Sequence, residues 1–143
     1  MDGGAPQDWF DEILAKYPRI AIAGGPRTGK STLSNRVHDR RVIHTDDFMR
    51  MDWSECSRVV CAIVNEIKGP VCVEGVRVPH AIRKGMQVDV VVWLDSPLVP
   101  LKEGQRKMRD GVLTVMTEVR RTMRAAWVFA PPAPLKRAIR SDR

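Results

Sequence analysis

Long apolar runs are missing from this sequence. The longest, Val88 to Leu94, is broken by Asp89 and falls far short of the about 20 residues a membrane-spanning helix needs. The opening residues Met1-Asp2-Gly3-Gly4 lack the basic start and apolar core of a secretory signal, so no membrane partner is expected. Cysteine is sparse as well. Cys56, Cys61 and Cys72 are odd in number and form no CxxC pair. That argues against a disulfide framework or a zinc cluster, and for reduced, buried thiols in a cytoplasm. His38, His44 and His80 add no metal-ligand spacing. There is no internal repeat, low-complexity tract or linker. A chain of 143 residues with 43% apolar and 29% charged side chains suits one globular domain over 1–143. No obligate protein partner is implied.

Acidic residues are the minority, 17 against 24 Lys and Arg, which gives a formal charge of +7 and a pI near 9.8. The imbalance is uneven. Asp2, Asp8, Asp11 and Glu12 make the N-terminus acidic, whereas Lys102, Arg106, Lys107, Arg109, Arg120, Arg121 and Arg124 lead to a basic tail at about 135–143. Such a half suits a polyanion, DNA or RNA. The plainer alternative is a basic solvated surface plus the arginines any ATP-using kinase needs.

Strand and helix signals alternate. Trp9, Phe10, Ile13, Leu14 and Tyr17 have helical spacing and predict a helix over 7–16, stopped by Pro18. Arg19 to Ala23 reads as a strand, Gly24 to Gly29 as a turn and Lys30 to His38 as a helix. A second strand, Arg41 to Thr45, precedes Asp52, which can cap a helix with Glu55 three residues on. Cys56, Val59, Val60, Ile63, Val64 and Ile67 line one face of that helix, and Gly69-Pro70 ends it. Val71 to Glu74 and Val88 to Leu94 are the third and fourth strands, with one or two helical turns at 79–84. A charged stretch, Lys102 to Asp110, leads to a helix at 112–124, buried through Val112, Val115, Met116, Val119 and Met123. Ala126 to Ala130 is the fifth strand. The alternation and the near-continuous apolar strands point to an α/β fold around a parallel sheet covered on both faces.

The sharpest motif is Gly24-Gly25-Pro26-Arg27-Thr28-Gly29-Lys30-Ser31, a complete GxxxxGK[ST] between a strand and a helix. Glycines at both ends let the backbone curl so that its N–H groups face phosphate oxygens. Lys30 reaches the β and γ phosphates, Ser31 holds Mg²⁺, and Thr32 is placed for the α phosphate. A glycine-rich turn before a helix is the structural alternative.

Strand two ends in Thr45-Asp46-Asp47-Phe48, where open α/β sheets bind ligands. A carboxylate there can take the proton of an attacking hydroxyl, which makes Asp46 the candidate base. Asp47 assists with metal or supports the loop; a pair of turn-capping aspartates is the alternative. Strand three ends in Val73-Glu74-Gly75, which places Glu74 to hold a magnesium-bound water or orient the acceptor. Arg77 can pair with Glu74 or with a substrate phosphate. Arg106, Lys107 and Arg109 suit a mobile lid over about 102–111 that closes on the triphosphate. Arg106 is preferred there and Arg109 is next, with a solvated charge run as the rival. Phe48 and Trp53 flank the acceptor position and can stack on a base, although both more often fill cores. Trp9, Trp93 and Trp127 read as core.

Taken together, Gly24 to Thr32, Thr45-Asp46-Asp47-Phe48, Val73-Glu74-Gly75 and the basic lid resemble the P-loop kinases of the nucleoside and polynucleotide kinase type, over roughly Arg19 to Ala130. The resemblance implies a three-layer fold with a five-stranded parallel sheet in the order 2-3-1-4-5, helices on both faces and a short lid. It implies ATP and Mg²⁺, with Asp46 as base and Lys30, Arg106 and Arg109 around the transferring group. In polynucleotide kinases an arginine adjoins the Asp-Asp-aromatic element. Here Met49 stands there and Arg50 comes one later, a departure from 5′-end kinases. Within the group, the small phage kinases of 5-hydroxymethyluracil in DNA resemble the chain in compactness, in Glu74-Gly75-Val76-Arg77 and in basic character. That implies DNA as substrate and a base hydroxymethyl group as acceptor, exposed or flipped to reach Asp46. A kinase of free nucleosides, of polynucleotide 5′ ends or of another small hydroxyl compound needs the same residues and stays open. So does a nucleotide-dependent switch or hydrolase, against which the lack of an NKxD motif counts. The loop at 130–135, where base preference is normally set, carries no readable code.

Overall fold

Five short strands, β1 (Arg19–Gly24), β2 (Arg41–His44), β3 (Val71–Glu74), β4 (Val90–Leu94) and β5 (Ala126–Phe129), all pair in parallel in the order β2-β3-β1-β4-β5. The order and the parallel pairing are those implied by the resemblance. The structure is a computed structural model and describes residues 8–131; the basic tail at 135–143 and the loop beyond Pro131 lie outside the described residues.

Alternate residues of the sheet feed two separate cores, as the period of two along a strand requires. Ile20, Ile22, Cys72, Val90 and Val92 share one cluster with Phe10, Leu33 and Val37. These last come from α1 (Trp9–Lys16) and from α2 (Lys30–Ser34) and the turn after it. Ala21, Ala23, Val73, Val91 and Trp93 share the other with residues of α3 (Trp53–Glu66), α4 (Val78–Arg83) and α5 (Glu103–Arg120). The result is three layers. Each fully buried Val or Ile contributes roughly 1.5–3 kcal/mol.

The helices start where local chemistry allows. The Asp8 carboxylate accepts from the Phe10 N–H at 2.7 Å, and Asp52 accepts from the Glu55 N–H at 2.7 Å, so each satisfies an orphan donor of the first turn. Two arginines close the other ends. The Arg19 guanidinium donates to the carbonyls of Val64, Ile67, Gly69 and Gln87 at 2.6–2.9 Å. Arg40 donates to Leu14, Tyr17 and Pro18. Both gather carbonyls left free where a helix ends.

Three expectations need correction. The helix after the glycine turn ends at Ser34, not His38. Asn35 caps it, and the Arg36 and Val37 N–H groups make tighter turn bonds to Leu33 and Ser34. The helix expected at 112–124 runs from Glu103 to Arg120. The stretch at 102–111, expected to precede that helix, is helical from Glu103 and forms the first half of α5. Its apolar stripe begins at Met108, one turn before Val112, and the charges occupy the remaining faces. Of the tryptophans read as core, Trp93 is buried, whereas Trp9 and Trp127 are half-buried. Among the described residues no helix is long and apolar enough to cross a membrane. Cys56, Cys61 and Cys72 are free and buried, and burial pushes the Cys72 thiol up to about 12.

Candidate active site

The sheet register assembles the site. His44 lies opposite Glu74, and Glu74 opposite Ile22, two residues before Gly24 ends β1. The carboxyl ends of β2, β3 and β1 thus stand side by side, the place where open α/β sheets carry ligands.

The glycine turn is pressed closely by its surroundings. A Cβ on Gly24 would meet the Leu94 carbonyl at 2.5 Å, and one on Gly25 would meet the Arg109 Cγ at 3.1 Å. Gly29 takes a left-handed φ of 94° at the start of α2. Arg27 also has a positive φ, 64°, and its carbonyl accepts the Leu98 N–H at 2.7 Å, so the segment after β4 braces the loop. Pro26 is half-buried, and Thr28 is buried with its hydroxyl donating to the Gly25 carbonyl at 3.0 Å. Ser31 and Thr32 are exposed.

Lys30 is 8% exposed. Its ammonium donates to the Gly25 carbonyl and, at 3.3 Å, to the Thr28 hydroxyl. Burial holds its pKa below the usual lysine value, and the charges of Glu74 and Asp46 offset that in part. Glu74 and Asp46 are thus the carboxylates whose charge reaches Lys30. Glu74 is 2% exposed and bonds the His44 Nδ1 at 2.6 Å. Asp46 and Asp47 are exposed on a 3-10 turn, Thr45–Phe48, and Phe48 packs against the core.

Gly75, next to Glu74, has a φ of 143°, and a Cβ there would fall 1.7 Å from the Thr45 Oγ1. Thr45 is fully buried. The two strand ends interlock.

Arg77 does not pair with Glu74. It turns away, 7% exposed, donates to the carbonyls of Phe48 at 3.4 Å and Met51 at 3.3 Å, and lies 4.6 Å over the Trp53 ring. It anchors the segment that carries Asp46. Arg106 donates to the Leu101 carbonyl at 2.7 Å at the start of α5. Arg109, ranked second from sequence, is the arginine that touches the phosphate loop.

The residues on either side of Arg109 line something else. Lys107, Met108, Gly111 and Val112 enclose, with Trp53 and His80, a cavity of about 370 Å³. The Trp53 and His80 rings lie 4.8 Å apart. Burial first, then Arg83, Arg77 and Lys84, holds the His80 pKa below its ordinary value, and its Nδ1 is buried without a partner. Sequence reasoning missed the His44–Glu74 bond and His80. The first was within reach: strands of four residues ending in His44 and Glu74 become neighbours once the order 2-3-1-4-5 is assumed.

Among the described residues no three His, Cys, Asp or Glu side chains cluster as a metal site. The buried Lys30 ammonium, hydrogen-bonded only to neutral oxygens, fits a triphosphate.

No family model and no curated protein matches the chain. A shikimate kinase from Acinetobacter baumannii, solved in complex with shikimate, is similar in structure, with a TM-score of 0.54 over 92% of this chain and 93% of that one, at 14% identity. The two chains share a fold, here with the strand order β2-β3-β1-β4-β5. In this fold the glycine turn follows β1, Glu74 ends β3 and Asp46 follows β2, the two strands on one flank of β1.

Proposed function

We propose that this chain transfers the γ-phosphoryl group of ATP to a hydroxyl group. The observation that carries the reading is Lys30: a buried cation in a complete phosphate loop, faced by carboxylates from the ends of two other strands. Lys30 exchanges the Gly25 carbonyl and the Thr28 hydroxyl for phosphate oxygens. Ser31 would hold Mg²⁺ and Glu74 a magnesium-bound water, and the ion supplies charge neutralisation on the phosphates. Asp46 takes the proton of the acceptor hydroxyl as its oxygen bonds to phosphorus and the bond to the ADP oxygen breaks. Arg109 stabilises the equatorial oxygens from above Gly25. His44 keeps the Glu74 carboxylate oriented.

The acceptor we favour is the hydroxymethyl group of 5-hydroxymethyluracil in DNA. The cavity walled by Trp53 and His80 suits a planar ring. The exposed positive charge also supports a polyanion. Arg19, Arg40 and Arg77 are consumed by carbonyls, and Arg36 pairs with Asp8 and Asp11. Lys102, Arg106, Lys107, Arg120, Arg121 and Arg124 are exposed on and around α5. A free nucleoside or another small alcohol is the second reading, favoured by the modest cavity and by the likeness to a kinase solved with shikimate.

Transfer from γ-labelled ATP decides between them, offered in parallel to DNA containing 5-hydroxymethyluracil, ordinary DNA with free 5′ hydroxyls, free nucleosides and shikimate. Label confined to the modified DNA and resistant to removal of 5′ phosphates supports the first acceptor. Label on a free nucleoside or on shikimate moves the enzyme to small substrates. No label on any acceptor, with phosphate released to water, sinks the kinase reading.

A further inference from the structure

A larger cavity, about 510 Å³, lies along the second half of α5. Trp93, Trp127 and Phe129 line it from β4 and β5, Arg120 and Arg121 from the end of α5, and Asp95 from just beyond β4. Its aromatic rings form a continuous set. Trp93 and Trp127 stack with centroids 5.7 Å apart, and Trp127 and Phe129 meet edge to face at 5.3 Å. The Arg120 guanidinium sits 4.4 Å over Trp127 and 5.4 Å over Phe129. Phe129 is 56% exposed, high for a large apolar side chain. The indole N–H groups differ. That of Trp93 donates to Asp95 at 3.1 Å, whereas that of Trp127 is buried with no acceptor.

We infer that this groove seats one nucleotide of a single-stranded nucleic acid, outside the acceptor cavity. An apolar partner would match the rings but strand two arginines. An acidic peptide would match the arginines but not the ring faces. A nucleotide has both complements: a flat base to stack against the exposed Phe129 ring, and a phosphate for Arg120 and Arg121. Among the described residues β5 is an edge strand of the sheet, the side from which a strand can enter. Met108 of the acceptor cavity and Met116 of this groove are eight residues apart on one helix, about 12 Å at 1.5 Å per residue. One strand can occupy both. The inference rests on the proposed action on DNA for the identity of the polymer.

The test is fluorescence anisotropy of a labelled oligothymidylate on the full chain, without ATP, across a salt series. Replacing Arg120→Ala and Arg121→Ala together should weaken binding and lower the log–log salt slope by about 1.4, at about 0.7 per lost contact to a single strand. Phe129→Ala should weaken binding roughly tenfold with the salt slope unchanged, a split that a merely charged surface would not produce. Unaltered affinity in both variants overturns the inference. Equal molar competition by thymidine 5′-monophosphate overturns it too, since a lone nucleotide would then suffice. Displacement by a non-hydrolysable ATP analogue would make the groove the seat of ATP's own base and overturn it. The thermal shift induced by Mg·ATP, measured on the same variants, reports folding and the nucleotide site separately. Oligomer binding lost in the variants with that shift retained supports the groove. A wild-type Mg·ATP shift with no oligomer binding overturns the groove and leaves the kinase reading standing.

Discussion

Replacing Lys30 with methionine separates what the buried ammonium does for the fold from what it does for a ligand. Methionine keeps most of the length and loses the charge. Two hydrogen bonds go, to Gly25 and Thr28, at about 1 kcal/mol each. The Gly25 carbonyl is not orphaned, because the Thr28 hydroxyl still donates to it at 3.0 Å. Against that loss stands the relief of burying a cation whose pKa burial already depresses. The two offset, so Lys30→Met should change stability by no more than about 1 kcal/mol, or about 3 °C in Tm for a chain of this size. Ligand binding should respond differently. Removing one partner of a desolvated charge pair costs about 2–5 kcal/mol, a fall in ATP affinity of roughly 30- to 5,000-fold. Thermal unfolding with and without Mg·ATP reads both numbers. At 100 times its Kd, ATP adds about 2.7 kcal/mol, near 8 °C in the wild type, and should add less than about 3 °C in the variant. The pH profile supplies a sign. A lysine with a lowered folded pKa makes stability rise as pH climbs through that value toward 10.5, and the variant should lack this rise. A drop of more than about 10 °C without ligand would make Lys30 a structural residue. An undiminished ATP shift would remove the phosphate loop from nucleotide binding.

Asp46→Asn should retain the ATP-induced thermal shift while steady-state transfer falls by about 10²–10⁴-fold; equal turnover removes Asp46 from the base role. His80→Phe keeps a ring against Trp53 but removes a group whose folded pKa is lowered. The wild type should therefore lose stability as pH falls from 6.5 toward that lower value, and the variant should lose less over the same window. Urea titrations at several pH values test this, and parallel curves refute it. Arg19→Ala strips four carbonyls of their charged donor. At about 0.5–1 kcal/mol each after water takes over, it should cost about 2–4 kcal/mol in chemical denaturation; a loss below about 1 kcal/mol would mean solvent serves those carbonyls equally well.

Most of the sheet was readable because its strands are short and apolar on both faces. β3 occupies Val71–Glu74 in both sequence pattern and structure, since Gly69-Pro70 and Gly75 bound it. The glycine turn between β1 and α2 was readable because its pattern is local. What escaped depends on contacts remote in sequence. α5 was cut at Gly111 and its charged first half taken for a separate element, but a helix tolerates charge on its solvent faces as long as one stripe, here Met108, Val112, Val115, Met116 and Val119, meets the core. The role of Arg77 turned on the direction of one side chain toward the carbonyls of Phe48 and Met51, which spacing from Glu74 does not encode. Arg19, read only as the start of a strand, is a clamp on the end of α3.

Gly75 bears on any attempt to re-engineer acceptor choice. Two independent bars exclude a side chain there, the collision with Thr45 and the left-handed backbone. Shrinking Thr45 would lift only the first. A randomised library spanning 74–77 would therefore return glycine at 75 in every folded member, and Arg77, bound to two carbonyls, would resist exchange almost as firmly. Diversity is better spent on Trp53, His80 and Lys107, which line the cavity from three different elements, and where a new side chain changes the shape offered to an acceptor without unpicking the strands that hold it.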